Sequence, residues 1–162
     1  MPAELTPAQT AIVDAAIARL TSLRGALLPI LHAIQEELGW VPPQAQPRIA
    51  NALNLSLADV HGVVTFYHDF KSRPQGRTVV KLCRAEACQA MGCERLVRRL
   101  ADEHGVAVGA TTSDGALTVD AVYCLGNCAL SPSALVDGRL LGRVDERRID
   151  ELVQQARAKG RA

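Results

Sequence analysis

The spacing of apolar residues changes once along the chain. Up to about residue 70 they recur every three or four positions, the rhythm of helices with one face turned inward. Thr6-Pro7-Ala8-Gln9 has the form of a capping box with proline at the first helical position. Ile12, Val13, Ala16, Ile17 and Leu20 then make one face. The spacing predicts a second helix over about 25–38, with Leu27, Leu31, Ile34 and Leu38 inward and Gly39 as its stop. Pro29 is tolerable there only in the first turn. After Val41-Pro42-Pro43 a third helix carries Ile49, Ala50 and Leu53. Ser56 with Asp59 caps a fourth, bearing Val60, Val63, Val64 and Tyr67.

Residues 71–76 are polar and contain Pro74 and Gly76, a break that divides the chain into domains at 1–72 and 73–162. Beyond it the rhythm alternates between strand and helix. Residues 77–82 read as a strand ending at Cys83, followed by one helix that stops at Gly105. Ser113-Asp114-Gly115 is a turn, and 117–123 is a strand leading into Cys124. Residues 134–136 and 139–141 flank Asp137-Gly138, the signature of a tight hairpin. Asp145 caps a last helix with Ile149, Leu152, Val153 and Ala156 inward. The order β-α-β-β-β-α predicts a small sheet covered by two helices, an α+β fold behind a helical segment.

Composition narrows the functions. The chain has 162 residues, 48% hydrophobic, enough for one ample core or two small ones. A net charge of +1 gives no general attraction to nucleic acid or anionic membrane. No apolar run approaches the ~20 residues that span a bilayer. Met1-Pro2-Ala3-Glu4 leads into polar sequence without an apolar signal region. A cytoplasmic protein without direct membrane contact is expected.

Five cysteines carry the candidate chemistry. Cys83 and Cys88 form a C-x4-C pair, Cys124 and Cys128 a C-x3-C pair. Four thiolates from two distant loops can close a site for Zn²⁺ or for an iron–sulfur cluster, and spacing permits both. Disulfides are disfavoured by the odd count and the expected reducing compartment. A plant-type [2Fe–2S] centre groups three cysteines in one loop, which this chain does not. A Rieske centre needs two histidines, and His32, His61, His68 and His104 lie far from either pair in sequence. Cys93 starts the helical series Cys93, Leu96, Val97, Leu100, Ala101 and reads as a core residue.

A strand, C-x4-C, a helix, a strand and then Cys124-Leu125-Gly126-Asn127-Cys128 with Pro132 together resemble one family. It is the thioredoxin-like [2Fe–2S] ferredoxin subunit of NADH-linked complexes. Its members include the small flavoprotein-fragment subunit of respiratory complex I, diaphorase subunits of NAD-reducing hydrogenases and the gamma subunit of NAD-dependent formate dehydrogenase. The helical segment also resembles the family, through Ala26-Leu27-Leu28-Pro29-Ile30-Leu31, Gln35, Leu38-Gly39 and Val63-Val64-Thr65-Phe66-Tyr67. Cys83-Arg84-Ala85-Glu86-Ala87-Cys88-Gln89-Ala90-Met91-Gly92 looks most like the formate dehydrogenase subunit.

The resemblance implies one [2Fe–2S] cluster with Cys83, Cys88, Cys124 and Cys128 as metal ligands. It implies no catalytic residue in this chain. FMN and NAD would sit on a partner beta subunit and a molybdenum cofactor on an alpha subunit. The role implied is an electron-transfer subunit of formate dehydrogenase, or the equivalent in complex I or an NAD-reducing hydrogenase.

In such a site, backbone N–H groups of 85–87 and 125–127 are expected to donate to sulfur, and Gly126 to permit close approach. Reduction adds a negative charge, so Arg84 and Lys81 would favour the reduced form and Glu86 oppose it. No G-x-G-x-x-G, Walker loop or C-x-x-C is present. Ser131 and Ser133 show no nucleophile–base pairing. His32 and His61 sit within predicted helices and read as ordinary surface or core residues. Residues 49–60 have the rhythm of a helix-turn-helix, which would suit a redox-sensing regulator. The candidate recognition helix over 56–66 carries Asp59 and no Lys or Arg, so phosphate contacts lack cations.

Overall fold

Reciprocal caps start two of the helices. Thr6 Oγ1 accepts from the Gln9 N–H at 3.2 Å, and Gln9 Oε1 accepts from the Thr6 N–H at 3.0 Å. Ser56 and Asp59 do the same at 3.1 and 3.2 Å. Each cap satisfies orphan N–H groups of a first turn and contributes ~1 kcal/mol. The computed structural model describes residues 4–159; Met1-Pro2-Ala3, part of the opening read above, lie outside them. The chain divides into two compact units, Met1–Pro74 and Gln75–Ala162.

The first unit holds α1 (Pro7–Leu20), α2 (Leu27–Leu38), a 3₁₀ turn at Pro43–Ala45, α3 (Gln46–Leu53) and α4 (Leu57–Phe66). Pro29 falls in the first turn of α2, and Gly39 ends that helix at φ 78°. Ile30 and Ala33 are buried alongside Leu31 and Ile34, a wider stripe than the sequence reading assigned to α2. Val13, Ile49 and Val60 complete a core with no exposed surface at those positions. Each such large side chain contributes roughly 1.5–3 kcal/mol. The half-exposed Asp14–Arg48 ion pair adds at most about 1 kcal/mol, so apolar burial holds this unit together. Tyr67 corrects the reading of α4. It lies beyond the helix in extended backbone, and its N–H still closes the last turn on Val63. Its exposed ring meets Phe66 and Phe70 edge to face, with centroids 5.1 and 6.1 Å apart.

The second unit is a five-stranded sheet in the order β2-β3-β1-β4-β5. The strands are β1 (Thr78–Cys83), β2 (Ala110–Thr111), β3 (Leu117–Val122), β4 (Ala134–Val136) and β5 (Arg139–Leu141). Strands β1 and β3 run parallel, in register from Thr78↔Leu117 to Cys83↔Val122. A parallel pair needs a long crossover, supplied here by α5 (Glu86–Ala90) and α6 (Cys93–His104). One helix, bearing Cys93, is expected here; the structure adds α5 ahead of it, with Gly92 at φ 87° between the two. Strand β2 is also unexpected, because two residues are too short to show a period.

Strand β4 pairs antiparallel with β1 and β5, as β2 does with β3. The β4–β5 turn has positive φ at both Asp137 (47°) and Gly138 (82°), which matches the sheet's twist. Helix α7 (Glu146–Ala158) buries Ile149, Leu152, Val153 and Ala156, with Asp145 accepting from the Arg148 N–H at 2.8 Å. Leu82, Leu100, Leu117, Val119 and Ile149 centre the second core. Among the described residues no helix is long and apolar enough to cross a membrane.

Polar groups tie α6 to α7. Arg99 forks onto Asp150 with two bonds of 2.8 Å, and His104 Nε2 lies 2.8 Å from Asp150 Oδ1. These bonds, Arg99's first, hold the Asp150 carboxyl down at about 2, below its ordinary 3.8. A carboxylate depressed in the folded state stabilises fully above its unfolded value and less as pH falls through the folded one. The stabilisation from Asp150 is therefore present above about pH 4 and fades as pH falls through about 2. Asp150→Asn is expected to lower the urea midpoint at pH 7. It should change that midpoint less at pH 2, where the native carboxylate is itself taking up its proton. An equal loss at both pH values would contradict the linkage.

Candidate metal centre

The β1–β3 register brings the two cysteine segments to one end of the sheet. Cys83 is the last residue of β1 and lies opposite Val122, the last of β3, so Cys124 follows two residues beyond Cys83's own neighbour. The loop of 123–133 then returns to β4, whose Ala134 pairs with Leu82 on the other side of β1. The Cys83 N–H donates to the Ser133 carbonyl at 3.0 Å and the Arg84 N–H to the Val122 carbonyl at 2.9 Å. The first cysteine segment is thus pinned between both arms of the second.

The loop is braced from within. Asn127 Nδ2 donates to Ser133 Oγ at 3.1 Å, and Ser133 Oγ donates to the Asn127 and Leu130 carbonyls at 3.3 Å. Ser131 Oγ donates to the Cys128 carbonyl at 2.7 Å and lies 3.5 Å from Cys88 Sγ. The two serines therefore hold the loop, a role with no signal in a search for catalytic pairs. Gly142 packs against it so closely that a Cβ would sit 2.7 Å from Leu130 Cβ. Gly126 has a φ of 73°, a conformation that glycine adopts without strain, and a Cβ there would meet no protein atom within 4 Å.

The thiols lie as pairs. Cys124 and Cys128 sulfurs are 3.8 Å apart, the edge of a tetrahedron with metal–sulfur bonds of about 2.3 Å. Cys83 and Cys88 are buried, whereas Cys124 and Cys128 are exposed. Among the described residues no three or more His, Cys, Asp or Glu side chains are arranged to hold a metal ion. A mononuclear zinc site needs four ligands about one ion, while a two-iron cluster needs two thiolates at each iron.

Electrostatics distinguish the cysteines. Burial pushes the Cys83 thiol up, but hydrogen bonds from the Ala85, Cys124 and Leu125 backbone and from Cys88 outweigh it and hold the thiol below its usual range. Donors from both loops therefore favour a thiolate at Cys83. The Gly126 N–H also reaches Cys124 Sγ at 3.4 Å. Cys128 is pushed up, chiefly by its hydrogen bond and repulsion with Cys124. Cys93, with no exposed surface, is pushed up by burial and then by the Glu94 charge. It packs with Cys83 and Cys88 in one apolar cluster with Ala85, Val122 and Leu125.

The second unit is a mixed sheet backed by helices, with two thiol pairs at the end of a parallel strand pair, the architecture of a thioredoxin-like ferredoxin. Residues 13–157 match the thioredoxin-like [2Fe-2S] ferredoxin family, and the chain belongs to it. The family binds a [2Fe–2S] cluster. A subunit of NADH-quinone oxidoreductase from Pseudomonas aeruginosa is 36% identical over 121 residues, 75% of this chain and 73% of that one. The HndA subunit of an NADP-reducing hydrogenase from Solidesulfovibrio fructosivorans is 30% identical over 139 residues, 86% of this chain and 81% of that one. The crystal structure of an air-oxidised NAD⁺-reducing [NiFe]-hydrogenase superposes with a TM-score of 0.69 at 28% identity. The match covers 83% of this chain and 23% of the hydrogenase chain.

The donor set fits the family's cluster: two thiol pairs, with backbone N–H groups directed at sulfur. Cys→Ser at 83, 88, 124 or 128 is expected to reduce or abolish cluster content, read as two iron and two sulfide per chain and by visible absorption. Cys93→Ser is expected to keep the spectrum while losing roughly 1–3 kcal/mol of stability, because it buries a hydroxyl among apolar groups. Stoichiometric zinc without iron in freshly purified protein would overturn the assignment.

Proposed function

We propose that this chain is the [2Fe–2S] electron-transfer subunit of a multisubunit NAD-linked oxidoreductase, with Cys83, Cys88, Cys124 and Cys128 as the cluster ligands. The observation that carries the reading is the convergence of both thiol pairs on the end of the β1–β3 pair. The cluster supplies one-electron exchange when bound. The chain's own part is to hold and shield it. Cys83 and Cys88 lie inside while Cys124 and Cys128 face outward, so electrons enter and leave on the side of the second pair. Exposed Met91, Tyr123 and Leu130 flank the cysteines and offer that side an apolar rim for a partner.

The partner is a larger subunit that binds FMN and NAD, since this chain has no dinucleotide fingerprint. The named relatives favour a complex of the quinone-reducing or hydrogenase kind. A formate dehydrogenase, with its molybdenum-bearing alpha subunit, is the second reading. It rests on residues 83–92. The first unit carries no chemistry but exposes Leu23 in the turn between α1 and α2, and Leu57 and Phe66 on α4, and we assign its helices to docking the flavin subunit.

Co-purification from the native cell tests the choice of complex: quinone-reductase or hydrogenase subunits are expected, and formate dehydrogenase subunits would reverse the order of the two readings. The isolated chain is expected to oxidise neither NADH nor formate, while the chain with its flavin partner should reduce the cluster, at least partly, with NADH. A chain beginning at Gln75 should keep its cluster and lose partner binding in pull-down. Undiminished binding by that chain would refute the docking role of the helices.

A further inference from the structure

Arg84 follows Cys83 directly and is held in place at three points. Its N–H donates to the Val122 carbonyl at 2.9 Å, and its carbonyl accepts from Gln89 Nε2 at 2.8 Å. Its guanidinium forks onto Glu94 near the start of α6, with Nε donating to Oε1 at 2.9 Å and Nη2 to Oε2 at 3.1 Å. The two side chains are only 30% and 39% exposed. Glu94 Oε1 also lies 4.0 Å from Cys93 Sγ, and Cys93 packs against Cys83 and Cys88. A bidentate, partly shielded ion pair therefore stands beside Cys93, one residue removed from the inner thiol pair.

Reduction adds one negative charge to a bound cluster. A lone cation next to Cys83 would stabilise the reduced form and raise the potential. A carboxylate fixed on that cation cancels most of this field, because opposite charges at bonding distance act on a third site as a dipole. Shielding from solvent keeps the effect from being screened away. We propose that Glu94 is a positioning residue that sets the cluster's reduction potential, holding it low by clamping and neutralising Arg84. The inference rests on the ligand assignment above and deepens it.

Redox titration of the full-length, cluster-loaded chain, followed by EPR, is the test. In Glu94→Gln the reduced-to-oxidised ratio at a fixed ambient potential is expected to rise about three- to tenfold, tenfold being 59 mV for one electron. In Arg84→Gln it should fall by a similar factor, and the double variant should return to within about twofold of the unaltered chain. Glu94→Asp, which keeps the charge, should stay near the original potential. Glu103→Gln removes a comparable charge farther along α6, where Glu103 pairs with Arg99, and serves as control. A Glu94→Gln shift no larger than the control's, or single variants that move in the same direction, would overturn the proposal. Loss of the EPR signal in the unaltered chain would instead sink the ligand assignment, and this inference with it.

Discussion

The parallel pairing of β1 with β3 is the constraint on which the site depends. The pairing sets Cys83 opposite Val122, and from that single register Cys124 follows at the same end of the sheet. A one-residue slip would turn every side chain of β1 to the other face. Val80 and Leu82 would leave the core, and Cys83 would point away from its counterparts. The register is held by burial, since Val80, Leu82, Leu117 and Val119 are all at most 2% exposed. The apolar core thus places the thiols, and the thiols do little to place the core.

Around that pairing the two cysteine loops are built differently. The first is short, keeps both of its cysteines buried, and runs directly into α5. The second is exposed and spans the end of β1, from β3 on one flank to β4 on the other. An exposed loop cannot rely on burial, so hydrogen bonds fix it: Asn127 and Ser133 with each other, Ser131 with the Cys128 carbonyl, and the Cys83 N–H with Ser133. The same division suits an electron carrier. One edge of the site is sealed from water, and the other is open to a partner.

Charge near the site is balanced locally. The polar network between α6 and α7, built on Asp150 and Arg99, is a structural device that fastens two helices. The Arg84–Glu94 pair adjoins Cys93, which packs against the inner thiols, and is proposed to act on their field. Both are bidentate Arg–carboxylate pairs, the geometry in which two parallel bonds add direction to attraction. Context alone separates a pair that fastens helices from one that bears on a redox centre.

Much of the fold was legible in the sequence, because its signals are local. Capping boxes at Thr6 and Ser56, the stop at Gly39, the Asp137-Gly138 turn and the periodic faces of α1, α6 and α7 each depend on residues a few positions apart. Cys93 was legible as core for the same reason, being in phase with Leu96 and Leu100. The two cysteine pairs were visible as pairs. What the sequence could not determine lies between elements. The division of α5 from α6 hangs on a left-handed Gly92, and β2 exists only because Ala110 and Thr111 find partners on β3. Tyr67 looked helical by spacing but leaves the helix. The left-handed backbone of Gly126, at φ 73°, showed only in the folded loop. Glu94 gave no signal toward Arg84, since a loop, α5 and the Gly92 break lie between them and no single element carries both, and only the fold of β1 against α6 brings them together. Local chemistry along the chain chose the elements. Long-range pairing and packing decided which of their side chains meet.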